Sequence, residues 1–264
     1  MAFSVATYNV LASAYIQRAW YPRTPALVLD PAWRVPALVQ HIAKLGADML
    51  CLQELEPESF ASLRAFLAGR GYSAQYARKQ AGRPDGCAIF YRRAIFELIG
   101  ARVLAYNDGS AVDPDTGYVA LIAAFRTAGA ILGVVNTHII WAPPDSAPTA
   151  PLGLRQVRQL VAEFDIGHAA ARGWVVAGDF NATPQSEIVS VLEQAGFQYA
   201  HRKRADVFTC NVGGSARMID YLFYSPRLHA DPIAPTRIDA QTRLPSAEQP
   251  SDHVAIMANF RWSA

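Results

Sequence analysis

Two hydrophobic periods alternate along the chain. Apolar residues in runs with strand-like spacing occupy Phe3–Leu11, Met49–Leu52, Tyr72–Ala77, Cys87–Tyr91, Val119–Phe125, Ile131–Ile140, Trp174–Ala177, Met218–Tyr224 and Val254–Arg261. Between them the spacing changes to i, i+3, i+4, i+7. Val35, Leu38, Val39, Ile42 and Leu45 predict a helix over Pro31–Leu45, with Asp30-Pro31 as cap and first turn and Gly46 as the stop. Phe60, Leu63, Phe66 and Leu67 predict a second over Glu58–Ala68. A third is expected over Leu154–Ala171, and a fourth from Thr183-Pro184 to Gly196. The later strands follow one another without crossover helices, which permits antiparallel or mixed pairing. So many strands with four helices imply an α+β fold, a four-layer α/β/β/α sandwich of two mixed, mainly antiparallel sheets packed face to face, with helices outside. The stretch Trp141–Pro151 holds four prolines and reads as a surface loop. Without a repeat or a linker to divide it, 1–264 is expected to be a single domain.

Composition narrows the function. At 52% hydrophobic and 17% charged, the 264 residues exclude intrinsic disorder. The balance of 24 Lys+Arg against 22 Asp+Glu argues against a broad basic face on a long duplex, leaving a small or short acidic substrate. No apolar run approaches the ~18–20 residues of a membrane span, and the first residues alternate like a strand without the basic segment of a secretory signal. Three cysteines without a Cys-x-x-Cys spacing suggest a reducing, cytoplasmic setting.

The informative polar residues sit at the ends of apolar strands: Asn9, Glu54, His138, Asp179 with Asn181, Asp220, and Asp252 with His253. Drawn from several strands, they can converge at one sheet edge, where loops build sites. Glu54 with Asn9 and Asp252 offers hard oxygen ligands suited to Mg²⁺ or Mn²⁺. His138 and His253 can donate to an anionic oxygen, and Asp179 can orient or deprotonate water. This set suits phosphoester hydrolysis. It suits acyl transfer poorly, since no Gly-x-Ser-x-Gly elbow is present.

Tyr-Asn-Val-Leu (8–11), Leu-Gln-Glu (52–54), Asn-Thr-His (136–138), Gly-Asp-Phe-Asn (178–181), Ile-Asp-Tyr (219–221) and Ser-Asp-His (251–253) resemble, in order, the motifs of the endonuclease/exonuclease/phosphatase superfamily. Trp33 with Arg34, Ala47-Asp48, Asp85-Gly86-Cys87-Ala88-Ile89-Phe90 and His138-Ile-Ile-Trp141-Ala-Pro143 are similar to the branch of the carbon-catabolite-repression deadenylases, nocturnin and the angel proteins. The resemblance implies Glu54 as principal Mg²⁺ ligand, with Asn9 and Asp252 completing or flanking the site. It implies Asp179 on the attacking water, His138 and Asn181 on phosphoryl oxygens, and His253, oriented by Asp220, on the transition state. Pro143 would lie against the terminal base. Trp141 is read as a packing residue of its loop, with a base-facing role as the sharper alternative.

Ala142 replaces the Asp of the branch's His-x-x-Trp-Asp-Pro, and two further departures stand out. Gly213-Gly214-Ser215-Ala216 stands where the deadenylases have an aromatic that clamps adenine, the string Thr209-Cys210 followed by Ser215-Ala216 being more similar to the angel proteins, and Ala255 stands where many superfamily members have Pro after Ser-Asp-His. The implied partner is a short single-stranded RNA or a nucleotide, with no membrane and no obligatory protein partner. The reaction at an RNA 3′ end is either exonucleolytic or the removal of a terminal or cyclic phosphate. The alternatives are a hydrolase of small nucleotides or phosphorylated dinucleotide cofactors and, in another class, a non-catalytic RNA-binding module. His41 and His168 are expected to be structural or solvated, and the basic runs Arg78-Lys79 and His201-Arg202-Lys203-Arg204 to be solvated faces, with a funnel for a short RNA backbone as the sharper alternative.

Overall fold

The alternation at the amino end becomes a central strand because both its faces are covered. In the computed structural model, which describes residues 2–109, 114–141, 152–166, 171–204 and 206–263, the chain runs β1 (Ala2–Asn9), α1 (Ala26–Leu29), α2 (Pro31–Leu45), β2 (Met49–Leu55), α3 (Pro57–Ala68), β3 (Tyr72–Arg78), β4 (Gly86–Arg92) and β5 (Glu97–Ala105). It continues β6 (Val119–Thr127), β7 (Ala130–His138), α4 (Leu152–Ile166), β8 (Gly173–Asp179), α5 (Glu187–Gln194) and β9 (Gln198–Tyr199). The last strands are β10 (Cys210–Val212), β11 (Ser215–Arg217), β12 (Asp220–Tyr224), β13 (Leu228–Ile233) and β14 (Ile256–Trp262). Pro143 and His168 lie outside the described residues.

Two six-stranded sheets form, ordered β13-β14-β1-β2-β4-β3 and β5-β6-β7-β8-β12-β9. In each, one parallel pair (β1 with β2, β7 with β8) is bridged by a helical crossover and the other pairings are antiparallel. Inward residues such as Val5, Cys51, Ile89, Leu121, Val134 and Val175 make the core between the sheets. Leu38 and Ile42 of α2 with Leu63 and Leu67 of α3 close the outer face of the first sheet. Leu154, Val157 and Leu160 of α4 with Val189 and Leu192 of α5 close that of the second. The expected four layers are present.

The differences from expectation have local causes. The fourth helix starts at Glu187 rather than Thr183, because 183–186 close a turn and the Ser186 hydroxyl accepts from the Val189 N–H at 3.3 Å as N-cap. The third helix ends at Ile166, and Ala171 is outside it. β5 escaped the apolar pattern because it is a largely exposed edge strand, and β13 because it carries Pro232, which only an edge tolerates. All three cysteines are buried and free, behaving as small apolar side chains.

Register delivers the polar residues to one place. Along the parallel β7–β8 ladder His138 stands beside Asp179, and along the antiparallel β8–β12 ladder Asp220 stands beside Asp179 as well. Gly178 is required there, since a Cβ on it would lie 2.1 Å from the Thr137 carbonyl oxygen. Beneath, Gln53 of one sheet donates to Asn136 of the other at 2.6 Å, and the Asn136 amide donates to the Leu52 and Ala88 carbonyls at 2.8 Å. This buried polar pair links the two sheets directly below the strand ends.

Candidate active site

Three of the described non-glycine residues with positive φ flank the strand ends: Leu11 (56°), Glu54 (56°) and Asn181 (50°). Such conformations cost energy and persist where the surroundings hold them. At Glu54 the β2–β4 register shifts between Leu52 and Leu55, so a bulge turns the carboxylate out of the ladder. Its Oε2 accepts from the Ala12 N–H and its Oε1 from the Asn9 amide, both at 2.9 Å. The same Asn9 Nδ2 donates to Asp179 Oδ2 at 2.9 Å, while Asn9 Oδ1 accepts from the Leu11 N–H at 3.0 Å. Asn9 therefore clamps two carboxylates together.

Asp179 is buried, and its second oxygen accepts from the Asn181 N–H at 2.9 Å. Two imidazoles flank it, with the Nε2 atoms of His138 and of His253 each 3.7 Å from Asp179 Oδ2. His253 Nδ1 meets Asp220 at 2.8 Å. His138 Nε2 lies 3.1 Å from the Asn181 amide nitrogen, which also donates to the Ile139 carbonyl at 2.9 Å. Asp252 accepts from the Tyr21 hydroxyl at 2.8 Å, and its neighbour Ser251 ties down the Asn9 carbonyl at 2.8 Å. The structure thus brings Asn9, Glu54, His138, Asp179, Asn181, Asp220, Asp252 and His253 to one set of strand ends. Trp141 stands at the cavity mouth, half exposed; Pro143 falls outside the described residues.

The cavity above holds about 520 Å³, room for a nucleotide-sized ligand. Tyr15, Trp20, Tyr21 and Tyr118 supply aromatic walls, and Arg83 and Arg217 supply cations.

Burial pushes the Glu54 carboxyl up, with Lys79 opposing and Asp252 reinforcing the shift. Burial and the neighbouring Asp220 raise Asp179 to about 7, against the pull of His253. For His253 burial would lower the affinity for its proton, but Asp220 and Cys210 reverse this and hold it well above the usual histidine range. Burial, then Lys79, His253 and Arg83, hold His138 well below that range.

Lys79 departs from the solvated reading of Arg78-Lys79. Its side chain is wholly buried, paired with Asp85 at 2.8 Å and 3.2 Å from His138 Nδ1. Period two carried the signal: Lys79 falls on the same face as Ala77, which points into the inter-sheet core, while Arg78 is exposed. His201 is likewise buried, its Nε2 at 3.1 Å from the Ile233 carbonyl, unlike the exposed Arg202 and Lys203 that follow it. Arg34 is also buried; it donates to the Val10 carbonyl at 2.9 Å and the Ser13 hydroxyl at 2.8 Å, fixing the loop that caps Glu54.

The donor set fits a hard divalent cation. Glu54, Asp179, Asp220 and Asp252 crowd one buried edge, while Lys79 is spent on Asp85, and carboxylates pushed up by burial and by each other call for positive charge. Asp179, Asp220 and His253 also bring ligand atoms within 4.8 Å of one another. There the Asp220–His253 hydrogen bond already uses the imidazole Nδ1; Glu54 and Asp252, which line the same cavity as Asp179 and His253, could also hold such an ion.

A face-to-face double sheet with this edge of acids, amides and imidazoles defines a metal-dependent hydrolase of phosphoester bonds. Residues 6–253 match the endonuclease/exonuclease/phosphatase family, and the chain belongs to it. Carbon catabolite repressor protein 4 homolog 4 of Arabidopsis thaliana is 27% identical, with 98% of this chain and 77% of that protein covered. Protein angel homolog 2 of Homo sapiens is 30% identical over 75% of this chain; the alignment spans only 38% of that longer protein. Among solved structures, ANGEL2, a 2′,3′-cyclic phosphatase, in complex with adenosine-2′,3′-vanadate superposes with a TM-score of 0.86 at 23% identity, covering 100% of this chain and 96% of that one. The human nocturnin catalytic domain with bound sulfate gives 0.73 at 21%, covering 99% and 94%.

Proposed function

We propose that the protein removes a terminal or 2′,3′-cyclic phosphate from the 3′ end of a short single-stranded RNA or a nucleotide, with Mg²⁺ (or Mn²⁺) held by Glu54 and Asp252. The observation that carries the hydrolytic reading is Asp179, buried, clamped by Asn9 and Asn181, and flanked by two imidazoles at equal distance. The bound cation would neutralise phosphoryl charge. Asp179 orients the attacking water and takes its proton as the water oxygen bonds to phosphorus and the ester P–O bond breaks, the leaving ribose oxygen taking a proton from solvent. His253, kept charged by Asp220, and the pair His138–Asn181 donate to the phosphoryl oxygens, where charge builds. Asn9 supports this from behind, since its amide oxygen is engaged by Leu11 and its nitrogen by the two carboxylates.

End-group removal is preferred to nucleotide-by-nucleotide shortening for a local reason. The β10–β11 hairpin carries Gly213-Gly214 at its turn and offers Val212 and Arg217, not a ring, to the cavity. One stacking face for a base is missing, worth about 1–3 kcal/mol per base. The likeness to ANGEL2, a 2′,3′-cyclic phosphatase, supports the same reading. The three free, buried cysteines accord with a cytoplasmic enzyme, and among the described residues no helix is long and apolar enough to cross a membrane. Oligoribonucleotides ending in 3′-hydroxyl, 3′-phosphate and 2′,3′-cyclic phosphate decide the matter by product length and end group. An end change without shortening is expected; shortening of the 3′-hydroxyl oligomer would establish an exonuclease instead.

A further inference from the structure

The buried cation beneath His138 has no part in the hydrolytic scheme above. Its Nζ lies 2.8 Å from Asp85 Oδ2, 3.2 Å from His138 Nδ1 and 4.1 Å from the centroid of the Tyr118 ring. Asp85 is itself held by the Tyr15 hydroxyl at 2.7 Å, and the Lys79 backbone N–H donates to the Asp85 carbonyl at 2.9 Å. A buried ion pair this costly is seldom retained for stability alone.

The ring it touches poses a problem of hydrogen count. His138 has a donor at each nitrogen, the Lys79 ammonium at Nδ1 and the Asn181 amide 3.1 Å from Nε2. A neutral imidazole has one acceptor nitrogen only. The ammonium is the stronger claimant because its bond is charge-assisted, and the Asn181 amide has the Ile139 carbonyl to serve. Nδ1 is then the acceptor, and Nε2 carries the hydrogen. Two N–H donors, from Nε2 and from Asn181, are left about one hydrogen-bond length apart with no acceptor between them, an arrangement that an anionic oxygen relieves.

We propose that Lys79, anchored by Asp85 and Tyr15, is a positioning residue that holds the His138 proton on Nε2, so that this N–H and the Asn181 amide form a two-donor clamp for a phosphoryl oxygen. The proposal rests on the hydrolytic reading only for what enters the clamp; the tautomer itself does not. The other charged or titratable groups facing the ring are Arg83, Tyr118, His253 and Asp179.

Nitrogen-15 spectra of the full chain, with the His138 signals assigned by their loss in His138→Asn, read the tautomer without turnover. The expected wild-type result is an unprotonated Nδ1 and a protonated Nε2; a protonated Nδ1 overturns the proposal by itself, whether or not any variant folds. Removing the cation alone would strand Asp85, so the variants are paired. Lys79→Met with Asp85→Asn should mix the tautomers and lower kcat about 10- to 100-fold with KM changed less than about twofold. Lys79→Gln with Asp85→Asn keeps an N–H donor without a charge and should recover the Nε2 tautomer and most of the rate. Equal tautomers and equal rates in the two pairs would contradict a positioning role. Wild-type protein that shows the Nε2 tautomer but hydrolyses nothing would sink the functional reading and leave this one standing.

Discussion

The two histidines beside Asp179 sit at the same distance from it and are wired in opposite senses. His253 has an anion, Asp220, at its Nδ1; His138 has a cation, Lys79, at the same atom. Both rings are buried, so burial alone would strip the proton from each. Asp220 overrides it and keeps His253 charged, whereas Lys79 adds to it and keeps His138 neutral. In the proposed reaction one ring would then supply charge to the phosphoryl group and the other a neutral donor. Two imidazolium ions so near would repel each other and quench Asp179; two neutral rings would leave the developing charge without a fixed cation. What stands behind a histidine decides its role more than its distance from the reacting atoms.

The comparison can be broken from either side. Asp220→Asn is expected to be the most damaging, lowering kcat about 10²–10⁴-fold at pH 8 by leaving His253 neutral. The loss should shrink as pH falls below the ordinary histidine value of about 6.5; a loss independent of pH between 5.5 and 8.5 would mean that Asp220 does not act through the charge on His253. Glu54→Gln keeps the shape but removes the ligand charge, and should raise the Mg²⁺ needed for half-maximal rate by about 10- to 100-fold. An unchanged metal titration would remove Glu54 from the metal site.

Stability offers a weaker but cleaner probe of Asp179. Its carboxyl is raised on folding, so its stabilising share is complete below the unfolded value of about 4 and is lost as pH rises through the folded value of about 7. In EDTA, Asp179→Asn should therefore gain Tm relative to wild type between pH 5 and pH 8, and added Mg²⁺ should narrow that gap. A difference that is flat with pH would show that Asp179 is not raised. The smallest expected effect is that of Trp141→Ala, which alters KM by the worth of one exposed stacking partner, about 1 kcal/mol or fivefold, and leaves kcat alone.

How much of this was legible in the sequence follows from where each residue sits. The candidate residues end or interrupt apolar runs, so Asn9, Glu54, His138, Asp179, Asp220 and His253 stand out against their surroundings, and the four layers follow from the two periods. The edges did not show. β5 is largely exposed and β13 fully buries only Leu228, and hydrophobic alternation is a record of burial. Nor did the sign of each histidine's environment show. Asp220 lies inside an apolar run and asks for a partner, but Lys79 follows Arg78 and looks like half of a surface pair until the strand's parity is counted. Asn9 was legible as a site residue and not as a clamp, since the turn of its amide depends on Leu11 in the left-handed region.

The central claim is that Asp179 and its clamps form a metal-dependent hydrolytic centre. Its most direct test is the single-turnover rate of phosphate release from a 3′-phosphorylated oligoribonucleotide, measured for wild type and for Asp179→Asn with Mg²⁺ and with EDTA. Asparagine preserves the shape and still meets the Asn181 N–H, so the fold is expected to stay. Release by wild type in Mg²⁺ alone, falling at least about 10²-fold in the variant, is the predicted result. Equal rates in the two proteins, or rates indifferent to EDTA, would contradict it.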